Sequence, residues 1–456
     1  MLFNTLEFFV FFVLVAPATW ALRRVPVRNA LLLAASYVFY GAWDVRFLTL
    51  IVGSTLVDYF AALTIERHRG TTRARLAVTV SVATNLGLLG VFKYYDFFLG
   101  SLAPLGIRGP FLEIAVPVGI SFYTFQTMSY SIDVYRGRLP PTRSLLDFAL
   151  YVAFFPQLVA GPIERATHLL PQITSLRRFD PRALESGLRL VLWGLIQKCV
   201  VADNLAVHVV DPIFDPAADV GGWVIAVGVY AFAFQILGDF AGYSNIAIGC
   251  ARILGFDLRK NFDGPYLATD PSDFWRRWHI SLSTWLRDYL YIELGGNRTG
   301  HTARNLMLTM LLGGLWHGAS WKFVLWGAFH GVLLALFRVE AFAHAWAKIS
   351  RELRVALFFQ LTCMGWLIFR ANDLGDLVHK IERFTSDFFV TYDPQLLYLR
   401  WTLVCVAPLL VVAIARRIAK GRDLPAPVRG AAYALGLYLF LTLGEFGSRE
   451  FIYFQF

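Results

Sequence analysis

WVIAVGVYAFAFQILGDFAGYSNIA, residues 223–247, carries one charged side chain, Asp239, in 25 positions. A run of that length and apolarity reads as a helix crossing a bilayer, because about 20 apolar residues span the hydrocarbon core. The rest of the 456-residue sequence repeats the pattern. It is 57% hydrophobic, 16% aromatic and only 16% charged, and the charges fall between the apolar runs. A soluble core of this size would hold charge at about a quarter of its positions, spread more evenly. The sequence therefore predicts an all-α polytopic membrane protein.

The predicted spans are Leu2–Leu22, Asn29–Trp43, Phe47–Ile65, Leu76–Leu99, Leu112–Ser131, Gly187–Val207, Trp223–Ala247, Asn305–Leu315, Trp321–Phe337, Val355–Phe369, Trp401–Ala415 and Gly430–Leu443. No basic segment precedes Leu2–Leu22, so it reads as a first span and not as a cleaved leader. Arginines and lysines mark the cytoplasmic loops of such proteins. Arg23, Arg24 and Arg28, then Arg67–Arg75, Arg136–Arg143, Arg252–Arg277 and Arg416–Arg422 all fit the inner side. The loop with Asp211, Asp215 and Asp219 lacks Lys and Arg and fits the outer side, and the alternation closes with both termini periplasmic.

Leu145–Pro162 breaks this rhythm. It is apolar, but basic loops flank both sides, and Pro156 with Gly161-Pro162 interrupts any helix. A re-entrant element is predicted, since broken backbone at membrane depth must be hidden in protein or in a wet cavity.

The net charge of +10 raises nucleic acid as a partner, but the cations sit in short loops between spans and form no free basic face with stacking aromatics. Cys199, Cys250, Cys363 and Cys405 lie in or beside apolar runs without metal-ligand or CxxC spacing. They read as small buried hydrophobes. No internal repeat is evident, which leaves an inverted-repeat transporter without support.

Two stretches carry chemistry. In NFDGPYLATDPSDFWRRWHISLSTWLRDYLYIELGGNR, residues 261–298, Asp270 or Ser272 can cap a helix opening at Pro271. Phe274, Trp278, Leu282, Trp285 and Leu286 then fall on one face, flanked by Arg276, Arg277 and Arg287. An amphipathic interfacial helix is predicted, with His279 inside it. Most of its aromatics read as interfacial anchors, and His279 reads either as a hydrogen-bonded structural group or as a catalyst. In GGLWHGASWKFVLWGAFHG, residues 313–331, His317 lies between two short apolar helices. Ionisable groups at membrane depth usually line a functional cavity. Burial keeps an imidazole neutral and able to accept a hydroxyl proton. Gly313, Gly314, Gly318 and Ala319 permit close backbone approach. His330 is a weaker candidate that could satisfy a helix carbonyl.

These blocks resemble the membrane-bound O-acyltransferase (MBOAT) family, within it the bacterial branch that O-acetylates alginate and other polysaccharides. The resemblance rests on FFPQLVAGPIER (154–165), DFAGYSNIAIG (239–249), FWRRWHISLSTWLRDYLY (274–291), LGGNR (294–298), GGLWHGASW (313–321) and EFIYFQF (450–456). It implies a ring of about eleven to thirteen spanning helices, with re-entrant and interfacial pieces around a tunnel. One membrane domain is implied, with peripheral spans over 1–143, a catalytic core over 144–340 and C-terminal spans over 341–456. The family's histidine maps onto His317, as general base, and its second polar position onto His279, which would orient the donor or stabilise an oxyanion. Glu293 departs from the pattern, where proline precedes Leu-Gly-Gly. The implied donor is acetyl-CoA, its phosphates met by Arg259, Lys260, Arg276 and Arg277. Implied partners are a periplasmic acetyltransferase, the polysaccharide synthesis and export machinery, and membrane lipid, with neither metal nor nucleic acid. Asp239, Asp273 and Asp288 are candidate orienters of the imidazoles. Rival readings are D-alanyl transfer to a cell-wall polymer and a proton-coupled transporter. The latter calls for paired carboxylates within spans, whereas Asp58 is the only clear one in the first half.

Overall fold

The computed structural model describes residues 1–159, 161–298, 300–388, 395–419, 425–447 and 451–452. Lys420, Arg422, Glu450 and residues 453–456 lie outside them, as do the side chains of Arg416 and Arg417. The described residues are helical, without a strand. Among the described residues seven helices are long and apolar enough to cross a membrane, and the pair Trp321–Leu336 and Glu340–Ala347, bent by 82°, would make eight. Leu6–Ala21, Val25–Gly41, Ile120–Tyr135 and Thr302–His317 have only 16 or 17 residues. At 1.5 Å per residue each is a few ångströms short of a full crossing.

Two compact units emerge, residues 1–188 with 247–260 and residues 189–246 with 261–456. In the first, the predicted break after Leu145 is present. Leu145–Ala153 stops at Phe154, and a short turn, Phe155–Leu158, follows with Pro156 near its start. The carbonyl of Tyr151, released by the break, accepts from Gln126 Nε2 at 2.6 Å and Gln157 Nε2 at 3.0 Å. Phe155 N–H donates to Ser36 Oγ at 3.1 Å. Buried amides thus replace the lost helical bonds, which is how interrupted backbone survives out of water. Asp58 is fully buried, and its carboxylate accepts from Ser81, from Asn85 at 2.8 Å and from Ser131 at 2.9 Å.

One span requires correction. Leu112–Ser131 is not a continuous helix: residues 112–117 form no helix, 112–116 are exposed, and the helix runs Ile120–Tyr135. The Asp96 carboxylate accepts from the N–H groups of Leu112 and Glu113 at 2.8 and 3.0 Å, Pro117 resists helix, and Gly119 turns at φ +74°.

In the second unit, Gly194 and Gly242 let two long helices touch backbone to backbone, since a Cβ on either would come within 2.8 Å of the other's carbonyl. Those helices belong to Pro181–Phe214 and Gly222–Ile253. The first widens into π turns at Ile196–Ala202 and Ala206–Val210. Thr302–His317 and Trp321–Leu336 form an antiparallel hairpin. A Cβ on Gly314 would overlap the Phe323 carbonyl and lie 3.1 Å from Gly327 Cα, and one on Gly327 would overlap the Met310 carbonyl. Close approach through small residues replaces the hydrophobic drive that lipid removes. Asp211 and Asp219, from the loop without Lys or Arg, are met by Arg370 at 3.2 Å and Arg383 at 3.0 Å.

Candidate active site

His317 is the last residue of its helix, and Gly318 turns the chain into an extended conformation (φ −168°, ψ 153°). Phe323 fills the space a Cβ at 318 would need, so glycine lets the return arm fold tightly beneath the histidine. The imidazole is 3% exposed. Trp316, Trp326 and Phe369 meet it nearly perpendicularly, with ring centres 5.1, 5.0 and 5.7 Å away. Perpendicular aromatic contact holds a flat ring without consuming its nitrogens.

His279 requires the second correction. It is not inside one helix but at the break between Pro271–Arg277 and Ile280–Leu286. Its backbone is left-handed, φ +41° and ψ +55°. That region is unfavourable for a residue with a Cβ and is common at functional sites. Two long-range backbone bonds impose it: Ile280 N–H donates to the Asn261 carbonyl at 2.9 Å, and Asp263 N–H to the Arg277 carbonyl at 2.9 Å. Asp270 caps the first short helix by accepting from Asp273 N–H at 2.8 Å, as the sequence predicts.

The partner of the His279 ring is Asn261, whose Oδ1 lies 3.2 Å from Nδ1. The same oxygen accepts from Ser281 N–H at 3.2 Å and Ser281 Oγ at 3.0 Å, while Asn261 Nδ2 meets Ser244 Oγ at 3.2 Å. Those bonds fix the amide so that its oxygen faces the ring. Nδ1 therefore carries the proton, and Nε2 is the basic nitrogen. Complete burial, the cause of a lowered pKa, keeps this imidazole uncharged. The candidate orienters are engaged elsewhere. Asp239 meets Lys198 at 2.6 Å, Asp273 meets Arg277 at 2.9 Å and Asp288 meets Arg287 at 2.7 Å.

The structure brings the two histidines together. Trp316 packs on His279 at 5.8 Å and on His317 at 5.1 Å, so a single indole joins them. His330 sits one ring further, 4.7 Å from Trp326 and 5.2 Å from Trp275. The buried indole N–H of Trp326 has no acceptor among the described residues. It is a hydrogen-bond donor beside His317.

Trp275 and Ile280 also line a cavity of about 290 Å³. Its walls include Leu286, Leu306, Met310 and Leu334, and Arg276, Arg287 and Arg338 also line it. Of the four predicted donor-binding cations, Arg276 lines this cavity. Arg277 is turned toward Asp273 and the Asp263 carbonyl. Arg259 and Lys260 belong to the first unit, where Arg259 N–H donates to Glu164 at 2.6 Å. Asn261, Trp326 and Arg338 escaped the sequence reading. Arg287 appeared there only as a polar flank.

A profile of the membrane-bound O-acyltransferase family, MBOAT, matches residues 136–372, which include His279, His317 and the cavity's arginines. The chain belongs to that family. As an MBOAT enzyme it is an O-acyltransferase. It is 44% identical to the "probable alginate O-acetylase AlgI" of Azotobacter vinelandii, over 82% of this chain and 76% of that one. A protein of the same description from Pseudomonas putida is 39% identical over 99% of this chain and 88% of its own length. The peptidoglycan O-acetyltransferase of Helicobacter pylori is 37% identical over 82% of this chain and 78% of its own. The all-helical membrane fold expected from the resemblance is the fold observed.

Proposed function

We propose that this MBOAT enzyme works in the bacterial inner membrane, both termini periplasmic and the Leu145–Pro162 segment re-entrant, as one catalytic domain. It takes an acetyl group from a cytoplasmic donor, acetyl-CoA, for O-acetylation of an exported polysaccharide. The relatives described as alginate O-acetylases favour alginate as the polymer. A periplasmic acetyltransferase and the export machinery are the partners to which the acetyl group passes. A second acceptor, peptidoglycan, is favoured by the Helicobacter pylori relative.

The observation that carries this reading is the pair of buried imidazoles joined by Trp316, with an arginine-lined cavity reaching Trp275 and Ile280. The guanidinium groups of Arg276, Arg287 and Arg338 hold the donor's phosphates. The thioester arm follows the apolar wall past Trp275 and Trp326 toward His317. His317 removes the proton of the acceptor hydroxyl as its oxygen attacks the thioester carbon. The Trp326 N–H faces the developing oxyanion. When the C–S bond breaks, the leaving thiolate takes the proton from the His317 imidazolium, leaving an ester, a free thiol and a neutral base. His279, protonated at Nδ1, has an acceptor at Nε2 and so orients the incoming hydroxyl. Its remaining nitrogen has no hydrogen to give, so it does not stabilise the oxyanion.

The test uses purified protein in sealed vesicles with acetyl-labelled acetyl-CoA and no ion gradient. Wild type transfers label to a polysaccharide fragment, and His317→Ala, folded and inserted, does not. Full transfer by that variant refutes the mechanism. Transfer that requires a proton gradient favours the transporter instead.

A further inference from the structure

His279 leans on a ring from another part of the chain. Phe240 meets its imidazole edge-on, with centres 4.6 Å apart at 84°. Phe240 is in turn held between Phe262 at 4.9 Å and Phe451 at 5.3 Å, and Phe451 also packs on Tyr243 at 4.8 Å. Phe240 and Phe451 are both fully buried. The segment carrying Phe451 is tied down by charge. Ile452 N–H donates to Asp239 Oδ2 at 2.8 Å, one residue before Phe240. The other oxygen of Asp239 meets Lys198 Nζ at 2.6 Å, and Lys198 also meets Asp203 at 2.7 Å. Just upstream, Glu445 N–H donates to the Cys199 carbonyl at 3.0 Å, and Asn204 Nδ2 donates to the Leu443 carbonyl at 2.8 Å.

Two carboxylates on one buried ammonium form a poor device for stability alone, because an apolar replacement of similar volume is often at least as stable. Such a group fixes geometry. Here the fixed geometry is that of Phe451 against Phe240, and of Phe240 against the imidazole.

We propose that Phe451 is a positioning residue which, acting through Phe240, sets the His279 imidazole, and that Lys198, Asp203 and Asp239 form the clasp that seats it. The proposal rests on the reading of His279 as part of the reacting site. Phe451 stands at one remove from His279, behind Phe240. Its effect passes through one intervening ring. Loss of its side chain leaves space behind Phe240, and a displacement of about 1 Å at a reacting group costs up to about a hundredfold in rate.

The test is a graded series, Phe451→Leu, Phe451→Val and Phe451→Ala, with His279→Gln as reference, in cells lacking their own copy of the enzyme. The readout is the initial rate at which labelled acetyl appears on envelope and exported polysaccharide, per molecule of protein that elutes folded in detergent. The rate falls as the side chain shrinks, by about tenfold to a hundredfold for Phe451→Ala. Phe451→Leu, close in volume, folds and restores the rate to within a few fold of wild type. A role in packing alone would lower the amount and thermal midpoint of folded protein while leaving rate per molecule flat across the series. That flat result overturns the proposal. If His279→Gln itself retains wild-type rate, the reading of the site fails instead, which separates the two outcomes.

Discussion

Adjacent glycines in the His317 hairpin should respond oppositely to the same added methyl. A Cβ at Gly314 overlaps the Phe323 carbonyl and comes within 3.1 Å of Gly327 N and Cα, all backbone atoms that cannot rotate away. At Gly313 the nearest atom is Leu286 Cδ1 at 3.1 Å, the end of a flexible side chain. Alanine favours helix over glycine by up to about 1 kcal/mol, so Gly313→Ala should be neutral or mildly stabilising. In Gly314→Ala the same gain is outweighed, because the arms must part by roughly 1 Å at an overpacking cost of about 1–3 kcal/mol. His317 lies three residues further along the same helix, so the displacement reaches the site. Turnover of Gly314→Ala should fall by about ten- to a hundredfold. The assay pairs thermal unfolding in detergent with acetyl transfer per folded molecule. Equal behaviour of the two variants, in either direction, would refute the claim that backbone contact at Gly314 positions His317.

Two further outcomes are expected. Arg338→Ala or Arg287→Ala should raise the donor KM by about tenfold, the loss of one charge-assisted contact, while kcat stays within twofold, and added salt should shrink the difference; donor saturation curves at two ionic strengths decide it, and an unchanged KM would remove these arginines from the donor site. His168 accepts stabilisation from a hydrogen bond with Glu164 at 2.8 Å, which raises its pKa above the ordinary 6.5. A raised folded pKa means the stabilisation is present in full below about 6.5 and fades as pH climbs through the folded value. Thermal midpoints of wild type should therefore decline with rising pH in that window, and His168→Gln should flatten the slope; parallel curves would contradict the pairing.

Much of the fold was legible because hydropathy is a local property. The long runs at 181–214 and 222–253, the break around Phe154 and the Asp270 cap all announce themselves within a few residues. The hairpin glycines were legible as close-packing residues, and His317 as a buried imidazole. What escaped depends on distant partners. The stretch Phe274–Leu286 has unbroken helical spacing and neither glycine nor proline, so nothing local signals the turn at His279. The turn is set by backbone bonds from Asn261 and Asp263. Asn261 itself sits in a polar loop that looks like any other, and its role appears only when the fold seats it against the ring. Leu374–Ser386 was missed as a helix because its apolar residues share the turn with Asp376, His379, Lys380, Glu382 and Arg383, which pull its average hydropathy below that of a span. The residues 112–117 misled in the opposite way: apolar letters, but a carboxylate at Asp96 offers their N–H groups an alternative to helix.

The backbone at position 279 would be more comfortable with glycine. Left-handed geometry costs an ordinary residue about 1 kcal/mol or more, a substantial fraction of the margin by which proteins stay folded. Glycine at 279 would relieve that strain but would empty the buried space between Phe240 and Trp316 and leave Asn261 without its partner, a larger loss than the relief. Backbone strain held in place by packing on both sides of a ring is the kind found at functional sites, in keeping with the role proposed for His279.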